Sequence, residues 1–561
     1  MTQHATPAQS PAPDGGLSDR FPSDPAGLPA CRHSEVVELS DGASFELRIG
    51  AVAKRLGDAT VRMLAYNGSI PGPTLKVAQG SEVEVNVVND GDLEATVHWH
   101  GLRLDNRYDG THETQAPIPV GESLPSRVAF PDPGVYWYHP HIREDYGQEM
   151  GLYGNVLVVP SEPEYWAPVH REILLTLDDV LIEDGAVAPF SRSETTHTAM
   201  GRFGDVLLVA GEPDLALGAR LGEVVRFYLT NTANTRVFKV KLPGAQMKLV
   251  GGDSGRCEHE ELIEHVVLAP SERTVVDVLF DEAGQLTLEH HTPDRTHPLA
   301  AITVTAELAT PSLRRAFETL RRDPELSDER RGLSRYLRAA PDKTVAFVAE
   351  MDFDATGDGP AVYTCPMHPA VLAEEPGRCP ECGMKLLPQA VVDQAGGGPE
   401  HGDHGDAHDH DGAAGHDHEA AGGIEWEDDM VDVNRITTPA NMRWKITDRT
   451  TGVADESIAW QFRVGDRVKI RLVNEMDSDH PMHHPFHIHG AGRFLILARD
   501  GTAEPNLMWS DTALVRTGET IDILLDVTNP GRWMAHCHIA EHHESGMMFS
   551  FNVAPAEHAS A

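Results

Sequence analysis

Three stretches of this chain alternate apolar and polar residues in the same way. Residues 80–89 read GSEVEVNVVN, residues 222–231 read GEVVRFYLTN and residues 465–474 read GDRVKIRLVN. Each begins with glycine, ends with asparagine and carries apolar side chains at alternate positions between them. This pattern predicts an amphipathic β-strand entered from a turn. Its threefold recurrence predicts three β domains of similar construction.

A second strand pattern also occurs three times. Residues 133–141 read PGVYWYHPH, residues 283–291 read AGQLTLEHH and residues 530–538 read PGRWMAHCH. Counted from the glycine, His139 and His141 align with His536 and His538, whereas the middle copy carries Glu289 and His291 at these positions. We interpret the middle domain as a copy whose metal-ligand strand is degraded.

The spacing of the repeats exposes an insertion. Gly80 and Gly222 lie 142 positions apart, whereas Gly222 and Gly465 lie 243 positions apart. The extra hundred or so residues fall at about 308–423. Their first part is rich in arginine, and Leu313, Phe317 and Leu320 recur at helical spacing. We therefore expect a helical segment at the start of the insertion.

Length and charge restrict the class of protein. A chain of 561 residues suits three or four domains, and its formal net charge of −41 argues against nucleic acid and anionic membranes as partners. The acidic surface favours the attraction of cations. Alternatively, it reflects adaptation to salt or a well-solvated surface. The sequence has no run of eighteen apolar residues and no basic, apolar leader at its start. We expect a soluble, cytoplasmic monomer, or a periplasmic or extracellular one if a signal was trimmed.

The segment around Cys537 indicates copper chemistry. On a strand, Cys537 points to one face and the flanking His536 and His538 point to the other. His542 and Met547 follow five and ten positions after the cysteine. A thiolate with histidine and a weak axial methionine makes a blue-copper electron-transfer site. The two flanking histidines then serve a second metal centre behind it.

Three further histidine motifs complete the pattern. They are His98-Trp99-His100, His139-Pro140-His141 and the segment 484–489, which reads HPFHIH. With these motifs in this order, the chain resembles the three-domain multicopper oxidases, the laccase and cuprous-oxidase family, over residues 40–307 and 424–555. The resemblance implies an all-β fold of three cupredoxin-like antiparallel β-sandwich domains, with copper ligands only in the first and third.

The resemblance also implies four copper ions per chain and a role for each ligand. The type 1 copper would be bound by His484, Cys537, His542 and Met547. The type 2 copper would be bound by His98 and His487, and the two type 3 coppers by His100, His139, His141, His489, His536 and His538. A donor would reduce the type 1 copper, and four electrons would then reduce O2 to water.

Proton delivery requires carboxylates near this cluster. Asp109 matches the family's acidic position after the first motif. The family's second acid falls at His543 in this chain, and Glu544 is the neighbouring candidate. We expect Asp109, Cys537 and Glu544 to be the catalytic residues.

The residues that precede His484 indicate a candidate site for the electron donor. Asp479, His480 and Met482 precede His484 and form a candidate site for substrate Cu(I), since soft and imidazole ligands suit this ion; alternatively, Met482 is only a packing residue. We favour oxidation of Cu(I), phenolic or other organic donors in copper tolerance. The alternatives are a general laccase, a copper storage or chaperone protein, and a relative of the two-domain nitrite reductases.

The centre of the insertion carries a second metal motif. Cys365-x2-His368 is followed by Cys379-x2-Cys382, a spacing that suits a small tetrahedral site. It resembles the heavy-metal-binding domains of copper efflux proteins. Zinc and Cu(I) are the two candidate ions for this site. Residues 396–423 are rich in histidine, aspartate and glycine, which predicts a disordered segment that chelates metal or serves as a linker.

These observations predict the following boundaries. Residues 1–39 form a flexible N-terminal segment, 40–162 the first cupredoxin domain, 163–307 the copper-free second domain, 308–350 a helical linker, 360–390 the metal-binding Cys/His domain, 391–423 the His-rich linker, 424–555 the third domain and 556–561 a tail. Cys31 and Cys257 are left over, and the sequence does not decide whether they pair.

Overall fold

The computed structural model describes residues 19–353, 362–396 and 422–557. Its architecture is all-β, as predicted: three β-sandwiches follow one another along the chain. Each has its own apolar core between two sheets. Within the described residues, no helix is both long and apolar enough to span a membrane.

The first domain has a five-stranded sheet, β1-β4-β9-β8-β6, and a four-stranded sheet, β3-β2-β5-β7. Its strands are β1 (Val36–Leu39), β2 (Ser44–Leu56), β3 (Ala59–Tyr66), β4 (Thr74–Ala78), β5 (Glu82–Asp90), β6 (His98–His100), β7 (Ser123–Ala129), β8 (Gly134–His139) and β9 (Gly154–Val159). Helix α1 (Glu144–Glu149) lies between β8 and β9, and a 3-10 helix covers Asn106–Tyr108.

The second domain has a six-stranded sheet, β13-β10-β15-β20-β17-β18, a five-stranded sheet, β14-β22-β21-β16-β19, and the hairpin β11-β12. Its strands are β10 (Arg171–Val180), β11 (Ile182–Glu183), β12 (Ala186–Val187), β13 (Val206–Val209), β14 (Leu215–Leu221), β15 (Glu223–Asn231), β16 (Phe238–Lys241), β17 (Gln246–Gly252), β18 (Gly255–Ile263), β19 (Val266–Leu268), β20 (Arg273–Phe280), β21 (Gly284–His291) and β22 (Thr296–Leu308). The expected helical segment follows as α2 (Arg314–Glu318), α3 (Pro324–Gly332) and α4 (Ser334–Arg338).

The third domain has a sheet of order β27-β23-β29-β35-β31-β32, with β33 also paired to β31, and a five-stranded sheet, β28-β37-β36-β30-β34. Its first strand is β23 (Lys343–Met351), which precedes the insertion strands β24 (Tyr363–Thr364), β25 (Leu372–Ala373) and β26 (Leu387–Pro388) and helices α5 (Gln389–Gly396) and α6 (Val431–Arg435). The domain continues with β27 (Met442–Asp448), β28 (Gln461–Arg463), β29 (Arg467–Asn474), β30 (His484–Ile488), β31 (Gly492–Arg499), β32 (Thr502–Ala503), β33 (Trp509–Ser510), β34 (Thr512–Val515), β35 (Thr520–Val527), β36 (Gly531–Cys537), α7 (Ala540–Glu544) and β37 (Met548–Ala554), with a 3-10 helix at Asp455–Ser457.

The first repeat occupies the same place in every domain. Strands β5, β15 and β29 each lie between one parallel neighbour (β2, β10 or β23) and one antiparallel neighbour (β7, β20 or β35). The opening glycines Gly80, Gly222 and Gly465 have φ of 85°, 76° and 100°, which glycine adopts without steric cost. The repeat therefore encodes a turn followed by a central strand.

The closing asparagines of the repeat also have a common role. The side-chain amide of Asn474 donates to the carbonyls of Met482 and Val515 at 2.7 and 3.2 Å. Asn231 donates in the same way to the carbonyls of Arg236 and Leu268, and Asn89 to those of Leu93 and Ile118. Each asparagine thus joins the end of a central strand to two later segments of its own domain.

Two predicted boundaries differ from the structure at the start and in the insertion. Residues 19–39 are not a free segment, because Phe21 stacks on Tyr146 with ring centroids 3.8 Å apart and β1 pairs with β4. Strand β23 was expected in a linker, yet it pairs with β27 and β29 and so begins the third domain. The insertion therefore interrupts the third domain after its first strand.

The expected His-rich linker of residues 391–423 is described only at its ends. Residues 391–396 belong to helix α5, and the remainder up to residue 421, with the tract's histidines, lies outside the described residues.

Candidate metal centres

Strand β36 separates two groups of metal-ligating side chains. On one face, Cys537 Sγ lies 3.5 Å from His484 Nδ1 and 3.7 Å from His542 Nδ1. On the other face, His536 Nε2 lies 3.0 Å from His489 Nε2. This is the alternation predicted for a cysteine between two histidines.

The cysteine-centred group is built within the third domain. His484 begins β30, which pairs with β36 so that Phe486 faces Cys537. The backbone of Cys537 donates to the Met547 carbonyl at 3.2 Å, and the Met547 side chain is fully buried. Burial raises the pKa of the Cys537 thiol, so a metal ion bound there has to displace its proton.

Trp444 covers this group from the side of the second domain. Its ring centroid lies 4.7 Å from that of His484 and 4.3 Å from that of His542. The indole Nε1 donates to the carbonyl of Thr198 at 2.7 Å, and the side chain is almost completely buried. Both imidazoles are therefore shielded from solvent.

Eight buried histidines form the second group, half from the first domain and half from the third. Ring centroids of His100 and His487 lie 3.8 Å apart, and those of His98 and His489 lie 4.0 Å apart, across the domain boundary. The members are His98, His100, His139, His141, His487, His489, His536 and His538. All the residues predicted to bind the type 2 and type 3 coppers thus meet at one interface.

The orientation of these rings fits metal binding. Nδ1 of His98, His139 and His487 donates to backbone carbonyls at 2.7 to 2.9 Å. Their Nε2 atoms are buried and have no hydrogen-bond partner among the described residues. A carbonyl acceptor on one ring nitrogen fixes the tautomer and leaves the other nitrogen free to ligate a metal.

Burial also sets the protonation of these ligands. It lowers the pKa of His487, His489 and His536 well below the usual range, and their mutual repulsion as cations adds to this effect. The imidazoles are therefore neutral, as metal ligands must be, and they suit copper, zinc, iron or nickel.

The two predicted catalytic carboxylates differ in position. Asp109 is fully buried, and its Oδ2 accepts from His489 Nδ1 at 2.9 Å. Glu544 instead accepts from the backbone N–H of Glu144 at 2.9 Å and lies 3.9 Å from His543. Asp109 thus contacts a member of the histidine group directly, whereas Glu544 is one residue removed.

Glu144 is a site residue that the sequence analysis did not identify. Its buried carboxylate lies 3.0 Å from His139 Nδ1, 3.7 Å from His538 Nε2 and 3.2 Å from His543 Nδ1. Although burial opposes it, the interactions with His139, His538 and His543 hold the pKa of Glu144 well below its usual range. Its only sequence signal is an acidic residue three positions after the motif that ends at His141.

The second domain also contributes to the histidine group. Asp511 Oδ1 lies 3.0 Å from His100 Nε2, and the guanidinium of Arg273 donates to the same carboxylate at 2.7 Å. Arg273 Nε also donates to the Val135 carbonyl of the first domain at 3.0 Å. A buried arginine of the second domain therefore connects the other two.

In β21, Glu289 and His291 of the degraded copy bind each other at 2.8 Å.

The three residues predicted to bind substrate copper are only partly available. The carboxylate of Asp479 lies 3.1 Å from Lys385 Nζ and 3.4 Å from an Arg378 nitrogen, both in the insertion. His480 Nε2 lies 3.0 Å from Met200 Sδ, and Met482 is fully buried.

The four predicted ligands of the insertion come together and are buried. Cys365 Sγ lies 3.6 Å from Cys382 Sγ and 3.7 Å from His368 Nδ1, and Cys379 Sγ lies 3.6 Å from the same nitrogen. Hydrogen bonds from Cys382 and His368 lower the pKa of Cys365 to about 5, against the opposing effect of burial.

The sequence left open whether Cys31 and Cys257 form a disulfide, and in the structure both are free thiols.

Comparisons with known proteins agree with this arrangement. Two multicopper oxidase family models match residues 51–163 and 426–557, and a heavy metal binding domain model matches residues 362–389. The multicopper oxidase mco of Staphylococcus epidermidis is 24% identical over 498 residues, which cover 87% of this chain and 83% of the relative. The copper resistance protein A homolog of Pseudomonas syringae pv. tomato is 24% identical over 90% of this chain and 91% of its own length.

The fold has matching solved structures. The crystal structure of a multi-copper oxidase from Pseudomonas thermotolerans superposes with a TM-score of 0.61 at 23% identity, covering 92% of this chain and 100% of the other. Together, the domain matches and the metal-ligand geometry support a multicopper oxidase with three β-sandwich domains and an inserted heavy-metal-binding domain.

Proposed function

We propose that the chain couples one-electron oxidation of a donor to four-electron reduction of O2 to two waters, with four copper ions. The type 1 copper is assigned to His484, Cys537, His542 and Met547. The type 2 copper is assigned to His98 and His487, and the type 3 pair to His100, His139, His141, His489, His536 and His538.

The observation that carries this proposal is the division of ligands on β36. Cys537 faces the mononuclear group, and its two chain neighbours face the eight-histidine group. Bound copper supplies the one-electron redox chemistry and the contact with O2. The short path along His536, Cys537 and His538 joins the place where electrons enter to the place where they are used.

Reduction of O2 to two waters takes up four protons as well as four electrons. Asp109 is the proposed proton donor, because it is buried beside the histidine group and bound to His489. A second buried carboxylate, Glu144, lies within ion-pair distance of His139 and His543, at 3.0 and 3.2 Å. Glu544 contacts this second carboxylate only through the backbone.

For the donor we propose Cu(I), with a role in copper tolerance. The net charge of −41 attracts cations, and Trp444 restricts the approach of bulky organic molecules to His484 and His542. One relative that matches most of the chain is named as a copper resistance protein. The second candidate is a laccase that oxidises phenols, and the third is a copper storage protein.

Oxygen consumption by the copper-loaded protein tests these alternatives, with Cu(I) and a phenol as donors. We expect the wild-type protein to consume oxygen with Cu(I). The Cys537→Ser variant should lose both this turnover and the visible absorption of the copper–thiolate bond. Cys31→Ser is the matched control, because Cys31 is a free cysteine outside the ligand groups described above. Turnover with the phenol but not with Cu(I) would favour the laccase. Copper binding without oxygen uptake would favour the storage protein.

A further inference from the structure

We propose that the Cys365/His368/Cys379/Cys382 site binds a structural zinc ion, and that this zinc fixes the loop of residues 477–483 that leads to His484. The second half of this inference rests on the proposed type 1 copper site.

The separations of the donor atoms support a four-coordinate ion. Bonds of about 2.3 Å to sulfur and about 2.0 Å to nitrogen place neighbouring donors of a tetrahedral site about 3.5 to 3.8 Å apart. The three measured separations, Cys365 to Cys382, Cys365 to His368 and Cys379 to His368, are 3.6, 3.7 and 3.6 Å. The cluster is therefore shaped for a tetrahedral ion with three sulfur ligands and one nitrogen ligand.

The site is also closed. Cys365, His368, Cys379 and Cys382 are exposed by only 0%, 4%, 2% and 2%. His368 turns Nδ1 towards the sulfurs, and its Nε2 lies within ion-pair distance of the Glu381 carboxylate, at 3.5 Å. Closed sites with four protein ligands are typical of structural zinc. A site that takes up copper and passes it on needs an approachable ligand, and these four donors are enclosed.

Polar contacts bind the zinc site to the loop before His484. The backbone N–H of Lys385 donates to the Asp479 carbonyl at 2.8 Å, and its Nζ reaches the Asp479 carboxylate at 3.1 Å. Arg378 donates to the Ser478 carbonyl and lies 3.2 Å from the Asp477 carboxylate. Arg378 directly precedes the ligand Cys379, and Lys385 follows Cys382 by three residues. Both contacts therefore depend on the conformation that the metal imposes.

Apolar packing joins the same two parts. Met384, Leu386 and Leu387 of the insertion belong to one continuous core with Met482 and with the type 1 ligands Cys537 and Met547. The insertion therefore forms one wall of the third domain. Loss of its metal would loosen the loop at Asp479, five residues before His484.

The metal itself is tested by counting ions in the purified full-length protein. We expect one zinc per chain in addition to copper, and loss of that zinc in Cys382→Ser with retention in Cys31→Ser. A wild-type protein that carries an extra copper and no zinc would overturn the assignment. This count does not depend on the type 1 copper.

The coupling is tested by the reduction potential and the electron paramagnetic resonance spectrum of the type 1 copper. We expect Cys382→Ser to shift both, with the type 2 signal unchanged, because His484 directly follows the loop, whereas His487 is held by the pairing of β30 with β34 and β36. A type 1 spectrum and potential equal to those of the wild type, in a variant that has lost zinc, would overturn the coupling.

A second variant tests the coupling without removing a zinc ligand, so that misfolding of the zinc site does not explain its effect. The double variant Arg378→Ala/Lys385→Ala leaves all four ligands in place, so we expect it to retain zinc and still shift the type 1 signal. Arg107→Ala is its control, since Arg107 forms an exposed ion pair within the first domain. An unshifted signal in the double variant would contradict the proposal. A wild-type protein without any type 1 signal would instead contradict the proposed function.

Discussion

Arg273 links the second domain to the eight-histidine group formed by the other two. Its buried guanidinium binds Asp511, and Asp511 lies against the imidazole of His100. A carboxylate behind a ligating histidine fixes the ring and strengthens it as a ligand. The second domain thus has a function at the histidine group although its own ligand strand carries Glu289 and His291, which bind each other.

Arg273→Met should destabilise the protein and impair copper binding at the eight-histidine group. Removing one partner of a buried ion pair costs about 3–5 kcal/mol, because the other charge remains buried. Urea unfolding and copper content after dialysis measure the two effects.

Arg226→Met is the matched control for that variant. Arg226 and Asp277 form a buried pair in the same domain, with a separation of 2.8 Å. We expect a comparable loss of stability and full copper content. If both variants retained copper equally, Arg273 would be a structural residue only.

At the scale of elements, strand ends determine where the ligands lie. The asparagine that ends β29 holds the Met482 carbonyl, two residues before His484. The asparagine that ends β15 makes the same pair of contacts in the copper-free domain. The asparagine therefore serves folding in the second domain, whereas in the third domain it also positions the segment that leads to His484.

Asn474→Ala should lower stability by about 1–3 kcal/mol, since buried carbonyls lose a donor. It should also alter the visible spectrum of the type 1 copper, because the loop to His484 is released. Asn231→Ala should cost a similar stability and leave the spectrum unchanged. Thermal unfolding and visible absorption of both variants decide the matter, and equal spectra would show that the asparagine acts on folding alone.

At the scale of the whole molecule, the proposed copper ligands join distant parts of the chain. Four histidines of the first domain and four of the third meet across one interface. A ligand that binds only the folded state stabilises that state by mass action. We therefore expect metal loading to contribute to the association of the first and third domains.

Removing copper with a chelator should lower the unfolding temperature of the first and third domains together. The second domain, which supplies no copper ligand in the proposed assignment, should be affected less. Hydrogen exchange followed by peptide mass spectrometry resolves the domains. Protection lost only around Cys537 would show that the histidine group does not hold the interface.

Much of this protein is determined by local sequence. Alternating polarity predicted β5, β15 and β29, and the positions of Cys537 and its neighbours predicted two metal groups on opposite faces of one strand. These predictions succeeded because strand periodicity and ligand chemistry depend on residues close together in the chain.

The remaining features depend on contacts between residues far apart in sequence. Strand β23 belongs to the third domain because it pairs with β29, on the far side of the insertion. Glu144 reaches His538, and Arg273 reaches Asp511, across domain boundaries. The insertion, which by sequence lies outside all three repeats, shares a core with Met482 and Cys537. No local pattern encodes such pairings, because they arise only when the three sandwiches bury their surfaces against one another.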